Sequence, residues 1–564
     1  MTVRLVAGDY PACQEVFRRY GEPDGRAAKF GHLEPIDRFA SRRGIDLDVL
    51  LGELSKAAGV PVDHDDEAAR RTHRPFIAVA LLLTLSLGAG WGMILLARIG
   101  WEGTFTGAPA AEIVAHGEAQ LWGFVALFVM GVAVGYLPIT TARPRPGRSH
   151  TRFMLASILI GVLGGFAWSL APRPLSWLGP ISGAALVLGA LGFLVLVVRQ
   201  IAGKWRTPWG RFILSSAVWM VVWAAVDLAL RVMTRTTGPA VYSERTRLVL
   251  MELAIFGFAL NVIYGVGQKL LPGLLRGGTT RKAMFEAAWG VHNAGVLILC
   301  LAHLAAFDGA AWLGSITITI GAGLYVAGLR GLFQARKPPA RPEAGPSVLA
   351  RYIQLAFFWL LAGLAMLTAG DLAIAFRGTN PSHAYLGAMR HALTVGFMTT
   401  LILGVGQRIL PILSHDLLAW PRLATPIFVL IAVGNALRVT LELATLATPV
   451  AFWILPASAV FELAALSLFT ANIFRTLWPR PEPLLAAGRV TRTTRVAVLL
   501  AEHSWLEDHM VEWGLRYVGR VRSVPAVLTL GSLAVGENFD PDDLVVRINE
   551  LMAARGTSAG ATRF

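Results

Sequence analysis

Three apolar stretches of the chain repeat one spaced pattern, which consists of Gly-Phe, six residues, Gly-Val, five residues and Pro. The stretches cover residues 123–138, 257–272 and 396–411. Identical spacing at three places predicts three units of common origin that pack around a pseudo-threefold centre. The repeated glycines are expected to permit close approach of helices, and each proline is expected to end its helix. The pattern therefore predicts architecture rather than a site.

The composition of the chain indicates that these stretches lie in a membrane. Hydrophobic residues make up 55% of the chain and charged residues only 15%, and the mean hydropathy is +0.56, which excludes an ordinary soluble domain. The net charge of +15 indicates cytoplasmic anchoring and attraction to anionic lipid, and not binding to nucleic acid. Two cysteines, Cys13 and Cys300, exclude a disulfide scaffold and a thiolate cluster within one chain.

A search for spans of about 20 apolar residues predicts an all-α polytopic membrane protein with about twelve transmembrane helices. The repeats fall on the second, sixth and tenth of them, so the membrane region 75–475 is predicted to consist of three four-helix pseudo-repeats. The predicted spans lie near residues 75–99, 117–139, 152–171, 177–200, 209–233, 248–271, 283–304, 310–333, 352–376, 387–410, 423–446 and 450–474.

The basic residues of the loops predict the orientation. Clusters of Lys and Arg precede the odd-numbered helices, so both termini are expected on the cytoplasmic side of the inner or plasma membrane. Arg235, Arg245 and Arg247 fall on the opposite side and are the exception to this pattern.

The two ends of the chain are predicted to be small cytoplasmic domains outside the membrane. Residues 1–62 show helical apolar spacing and predict a helical domain, followed by a linker at 63–74. Residues 485–564 contain short β-like runs, such as 496–500, and then a helix that Asp540 caps and that starts at Pro541. This second domain is therefore predicted to be α+β.

Two of the three repeats carry a histidine shortly before the Gly-Phe pair, and these are His116 and His391. Threefold packing would bring their helices to a common interior, with both imidazoles at similar depth near the outer surface. Two neutral imidazoles that face one another are what a six-coordinate haem iron needs. The alternative is that each histidine only caps a helix or meets interfacial water. The cost of polar groups in a membrane favours a shared ligand role.

The sequence around both histidines resembles that of known membrane haem proteins. AHGEAQLWGFVALFVMGVAVGYLP, at His116, resembles the second helix of haem-copper oxidase large subunits, and Met389-Arg390-His391 resembles the His-x-His of their tenth helix. The closer resemblance is to the NnrS family, whose segments HG-x2-QL-x-GF, RHALTVGF and GQRILP are found here. This resemblance implies a membrane protein that contains haem and copper and that is linked to resistance to nitric oxide and nitrosative stress.

The haem site is the part of the oxidase pattern that the chain keeps. The resemblance implies a haem, expected to be haem b, with His116 and His391 as iron ligands. Arg438 is the candidate for binding a haem propionate, because an arginine fork binds carboxylates with two hydrogen bonds.

The copper ligands of the oxidase pattern are replaced. Leu250-Met251-Glu252 stands in place of His-Pro-Glu, and a single His303 stands in place of a His-His pair. Copper would have to use other imidazole, thioether and carboxylate groups. The candidates are His303, Glu252, Met389 and His383.

The N-terminal region resembles the small domain that begins iron-sulfur repair proteins of the ScdA type. YPACQEVFRRYGEPDGR and GIDLDVLLGELSKA match its two helical blocks. That family has Cys-Cys after Tyr-Gly, whereas Glu22 and Pro23 follow here. This departure favours docking to another protein over a redox or metal role.

Three functional classes remain open on the sequence. The first is a haem protein of the NnrS type in nitric oxide defence, with nitric oxide as a ligand and an unidentified electron donor or protein partner. The second is an active membrane oxidoreductase of the haem-copper oxidase or nitric oxide reductase superfamily, against which the missing copper ligands argue. The third is a proton-coupled transporter that uses interior His and Glu and that binds no haem.

Overall fold

The structure, a computed structural model, describes most of the 564 residues. The residues that it does not describe are 1–2, 4–5, 8–9, 21–35, 37–38, 40–44, 46, 59–71, 142, 276–280, 330–347, 415–417, 479–488, 493, 504, 516–517, 519–527, 538 and 562–564. The predicted linker at 63–74 lies outside the described residues up to residue 71.

Twelve helices of the described chain are long and apolar enough to cross a membrane, which confirms the all-α polytopic fold. They are named α1 to α12 in chain order. Their bounds are Arg74–Glu102, Ala110–Thr141, Arg148–Leu170, Leu178–Gln200, Pro208–Met233, Glu244–Pro272, Lys282–Leu304, Asp308–Leu329, Leu349–Arg377, His383–Ser414, Pro421–Ala444 and Val450–Leu477.

The three repeat helices, α2, α6 and α10, have one internal construction. Each consists of 9 α-helical residues, 8 π-helical residues and 15 further α-helical residues, and in α6 this last part continues beyond the apolar span to Leu275. The π-helical segments are Ala119–Ala126, Leu253–Leu260 and Ala392–Thr399, and each contains the Gly-Phe pair of its repeat. Such segments are rare in proteins as a whole, and those that occur are often found at functional sites. Their common register confirms that the three sequence repeats are structural equivalents.

Helices α2, α6 and α10 form the centre of the bundle. In their most apolar windows 72%, 83% and 72% of the residues are buried, against 28–56% in the other nine helices. The π-helical segment of α6 contacts those of both α2 and α10. Gly406 in α10 leaves room for the Phe128 ring of α2, because a Cβ atom there would lie 3.1 Å from the ring. The repeats are therefore packed against protein more than against lipid.

The prolines of the repeats do not end their helices, contrary to the prediction. Helices α2 and α10 continue for a further turn after Pro138 and Pro411. The carbonyl groups of such a last turn need other donors, and the Arg143 N–H donates to the Pro138 carbonyl oxygen at 3.2 Å. A proline this close to a helix end is therefore accommodated.

Helices α2 and α10 begin earlier than predicted, at Ala110 and His383. His116 consequently lies inside a helix rather than before one. The hydroxyl of Ser382 caps α10 by accepting the Tyr385 N–H at 3.1 Å. The first turns contain polar residues such as Glu112, so a search for apolar spans stops short of them.

Two of the three arginines that break the charge pattern of the loops, Arg245 and Arg247, have acidic partners. Arg245 forms an ion pair with Asp308. Arg247 lies 3.7 Å from Glu244, which also lies 3.3 Å from Arg390. Acidic residues therefore balance part of the positive charge on this side of the bundle.

The chain divides into two compact units. One consists of Ala68–Ser414 and Leu418–Trp478, and the other consists of Met1–Glu67, His415–Leu417 and Pro479–Phe564. In the second unit, helices Cys13–Arg19 and Leu47–Ala58 share a small core. The buried Cys13 thiol donates to the Leu54 carbonyl oxygen at 3.3 Å, and burial raises the pKa of this thiol. Cys13 is therefore part of a core and not a reactive thiolate.

The C-terminal region differs from the α+β prediction. The run at 496–500 belongs to the helix Val496–Glu502, and the described part of 485–564 has no strand, only an isolated bridge between Arg495 and Thr529. Val496 and Leu499 are both fully buried, which is the spacing of a helix face. The expected strand at 496–500 is therefore wrong.

The expected cap of the last helix is confirmed. The Asp540 carboxylate accepts the N–H groups of Asp542 and Asp543 at 2.8 and 3.1 Å, and the helix Pro541–Ala561 follows.

Candidate functional site

A cavity of about 310 Å³ lies within the membrane bundle, and both predicted haem ligands line it. His116 reaches it from α2 and His391 from α10. Arg438, Glu442 and Glu462 line it from α11 and α12. Its volume is at the lower end of the range for small-molecule and cofactor sites.

His116 is held by a backbone carbonyl group of α1. Its Nδ1 lies 3.0 Å from the Gly88 carbonyl oxygen. Gly88 ends a π-helical segment, Thr84–Gly88, and its ψ of −113° turns its carbonyl out of the helical hydrogen-bond ladder. Gly92, one turn further, leaves room for the imidazole, because a Cβ atom there would lie 2.6 Å from His116 Cε1. The irregular part of α1 therefore orients this histidine.

His391 is held within its own helix. Its Nδ1 lies 2.9 Å from the Gly387 carbonyl oxygen. His391 is the last residue before the π-helical segment of α10. A carboxylate oxygen of Glu442 lies 3.6 Å from the same Nδ1 atom.

The two hydrogen bonds decide the tautomer of both histidines. A carbonyl oxygen only accepts, so Nδ1 carries the proton in each imidazole and Nε2 carries the lone pair. No hydrogen-bond partner of either Nε2 is found among the described residues. Metal-bound histidines usually donate their other N–H to a carbonyl or carboxylate group. Both side chains therefore fit the role of an axial ligand.

Arg438 contributes a positive charge with spare hydrogen-bonding capacity to the cavity. Its Nε lies 3.5 Å from Glu442 Oε2, and its side chain is in the protein interior. Nε and Nη1 have no hydrogen-bond partner among the described residues. Buried donors without partners are costly, so Arg438 fits a role in binding an anionic group such as a carboxylate.

A second buried arginine, Arg231, which the sequence reasoning missed, binds two carboxylates, Asp227 and Glu118, that line the cavity. Arg231 in α5 donates to Asp227 at 2.9 Å, to Ser182 at 2.8 Å and to Glu118 at 2.7 Å. Gly165 leaves room for it, because a Cβ atom there would lie 2.2 Å from Nη1. A charged residue inside a predicted span was the signal available in the sequence.

The common register of the repeats shows which residues are equivalent. Glu118, Glu252 and His391 each occupy the last position before a π-helical segment. The position two residues earlier holds His116 in α2, and its equivalents are Leu250 in α6 and Met389 in α10. The two histidines are therefore not equivalent positions of the repeat, and the middle repeat has no histidine at either one.

The structure brings two of the four copper candidates together, His303 and Glu252. His303 Nδ1 lies 2.8 Å from Glu252 Oε1, and both side chains are buried. Met389 is buried in the hydrophobic core, whereas His383 lines the cavity with its ring 5.0 Å from that of Phe105. Among the described residues, no three His, Cys, Asp or Glu side chains form a group that could hold a metal ion.

The membrane unit is similar in sequence to a known protein family. A family model described as NnrS protein matches residues 68–480, which is more than half of the chain and includes all twelve spans. No match is found among curated proteins.

Proposed function

The chain belongs to the NnrS family, and on that premise we propose that it is a haem-binding membrane protein that acts in defence against nitric oxide and nitrosative stress. The observation that carries the proposal is the pair of histidines at one cavity, each with its Nδ1 proton bound to a carbonyl oxygen and its Nε2 free. A haem bound there would supply one-electron redox chemistry.

The residues of the chain favour haem b. Covalent attachment of a c-type haem requires a Cys-x-x-Cys-His motif, and Cys13 and Cys300 are far apart in the sequence. Non-covalent binding depends on the two histidines and on contacts with the propionates. We assign one propionate to Arg438, whose unpartnered Nε and Nη1 could donate to a carboxylate.

If both histidines bound the iron, no coordination position would be left for a substrate. The residues therefore favour electron transfer or protection of other metal centres over turnover of nitric oxide. The repeat positions equivalent to His116 hold Leu250 and Met389, which argues against a second set of histidine ligands. Copper is not part of this proposal, because no three His, Cys, Asp or Glu side chains of the described residues form a group that could hold a metal ion.

The location of the protein is part of the proposal. We place it in the inner or plasma membrane with both termini in the cytoplasm, on the basis of the basic loops. The terminal unit then faces the cytoplasm, where it could dock to a protein partner.

A growth experiment tests the proposed function. A bacterial strain without its own family member would express the wild type, the double variant His116→Ala/His391→Ala or the control His150→Gln, and would be challenged with a nitric oxide donor. His150 binds a carbonyl group of α4 and is not at the cavity. We expect protection by the wild type and the control only. Equal protection by the double variant would contradict a haem-dependent role.

A further inference from the structure

Glu442 is a buried carboxylate that the haem-binding role of the two histidines does not explain. Its side chain is 3% exposed and lies between a proposed iron ligand and a proposed propionate ligand. One of its oxygens, Oε2, lies 3.6 Å from His391 Nδ1 and 3.5 Å from Arg438 Nε. That oxygen has no hydrogen-bond partner among the described residues.

The fold makes room for this carboxylate beside His391. A Cβ atom at position 387 would lie 2.0 Å from Glu442 Oε1 and 2.6 Å from its Cδ, so only glycine permits the observed packing. Gly387 also supplies the carbonyl oxygen that accepts the Nδ1–H of His391. One residue thus provides both the primary acceptor and the space for the second negative group.

We propose that Glu442 is a positioning residue that orients His391 and makes it a stronger donor to the haem iron than His116. The inference rests on the proposed function. A carboxylate next to the Nδ1–H of a metal-bound imidazole fixes the ring and raises its basicity. The ion pair with Arg438 keeps the carboxylate in place.

The two ligands differ in this respect. His116 Nδ1 has the neutral Gly88 carbonyl as its partner, and in the described part of the chain no carboxylate lies within ion-pair distance of it. His391 has both a carbonyl and a carboxylate next to Nδ1. A negative group at one ligand stabilises the oxidised, more positive iron, so Glu442 lowers the midpoint potential of the haem.

The test uses the full-length, haem-loaded protein in detergent. The variants are Glu442→Gln, which removes the charge, and Gly387→Ala, which keeps the charge but displaces the carboxylate. Glu462→Gln is the matched control, because Glu462 lines the same cavity and lies near Arg438 but forms no ion pair with His391. The measurements are the midpoint potential and the low-spin electron paramagnetic resonance spectrum, which depends on the orientation of the imidazole planes.

We expect both Glu442→Gln and Gly387→Ala to raise the midpoint potential and to change the low-spin spectrum. Glu462→Gln is expected to leave that spectrum unchanged. If Glu442→Gln does not fold, Glu442→Asp replaces it; this variant keeps the charge on a shorter side chain, and we expect it to raise the midpoint potential by a smaller amount. Unchanged spectra in Glu442→Gln and Gly387→Ala, with or without a shift in potential, would overturn the positioning role. A wild type that binds no haem would overturn the proposed function itself.

Discussion

The membrane bundle contains two buried arginines, each beside two carboxylates, and their hydrogen bonding differs. Arg231 is 1% exposed and donates to Asp227, Ser182 and Glu118 at 2.7–2.9 Å. Arg438 is 9% exposed and lies 3.5 Å from Glu442, and its Nε and Nη1 have no hydrogen-bond partner in the described chain.

This difference in hydrogen bonding distinguishes an arginine that stabilises the fold from one that is available to bind a ligand. A guanidinium in a membrane interior needs partners, and Arg231 obtains them from the protein on three helices, α2, α4 and α5. Arg438 lies at the histidine-lined cavity, and its Nε and Nη1 groups are available to donate to a ligand. The first arginine is therefore expected to stabilise the fold, and the second is expected to bind an anionic group of the cofactor.

The largest expected effect comes from Arg231→Met. This variant leaves Glu118 and Asp227 without their shared cation in the interior, which costs about 3–5 kcal/mol of stability. Thermal unfolding in detergent would show a much lower midpoint temperature than for Arg438→Met. Equal midpoints for the two variants would remove the distinction between the clusters.

The next effect concerns cofactor retention. Arg438→Gln is expected to fold but to bind haem about 10- to 100-fold more weakly, because charge-assisted hydrogen bonds to a propionate contribute about 1.5–3 kcal/mol. Arg438→Lys should rescue only in part, since lysine lacks the planar fork. The haem-to-protein ratio after transfer to a competing haem-binding protein measures this. Full retention by Arg438→Gln would leave Arg438 without the proposed role.

A smaller effect is expected from Gly92→Ala. The new Cβ atom would lie 2.6 Å from His116 Cε1 and would have to displace the imidazole, at a cost of about 1–3 kcal/mol. Gly323→Ala in α8 is the matched control, because nothing lies within 4 Å of its added Cβ atom and Gly323 does not line the cavity. Optical spectra would show a weakened low-spin signal in Gly92→Ala alone. Identical spectra in both variants would place His116 away from the iron.

The smallest expected effect is the energetic coupling between Glu252 and His303. Glu252 is the buried carboxylate of α6, the middle repeat helix, and its partner is a histidine instead of an arginine. A double-mutant cycle with Glu252→Gln and His303→Gln should give a coupling of about 1 kcal/mol in thermal stability, since their atoms lie 2.8 Å apart. Copper content should not change in any of these variants. Loss of bound copper in His303→Gln would instead make this pair a metal site.

The sequence predicted the membrane architecture well because its signals are local. Apolar runs define the twelve spans, and the spacing of Gly and Pro defines the repeats. The π-helical segments escaped prediction, because one extra residue per turn leaves the apolar composition of 119–126 unchanged. The early starts at Ala110 and His383 were missed since those first turns are polar.

The site was predictable only where a motif marked it. His116 and His391 stand in recognisable segments, and the structure places both at one cavity. The contact between Arg231 and Glu118 spans 113 positions of the sequence, so no local pattern could indicate it. Likewise, the contact of His303 with Glu252 joins two helices and depends on tertiary packing.

The central claim is that His116 and His391 bind one haem between them. Its most direct test is the reduced-minus-oxidised optical spectrum of the purified, haem-loaded protein, recorded for the wild type, His116→Ala and His391→Ala. The account predicts a low-spin b-type spectrum in the wild type that each substitution abolishes or converts to a five-coordinate form. A wild type without haem, or low-spin spectra that both substitutions leave unchanged, would contradict it.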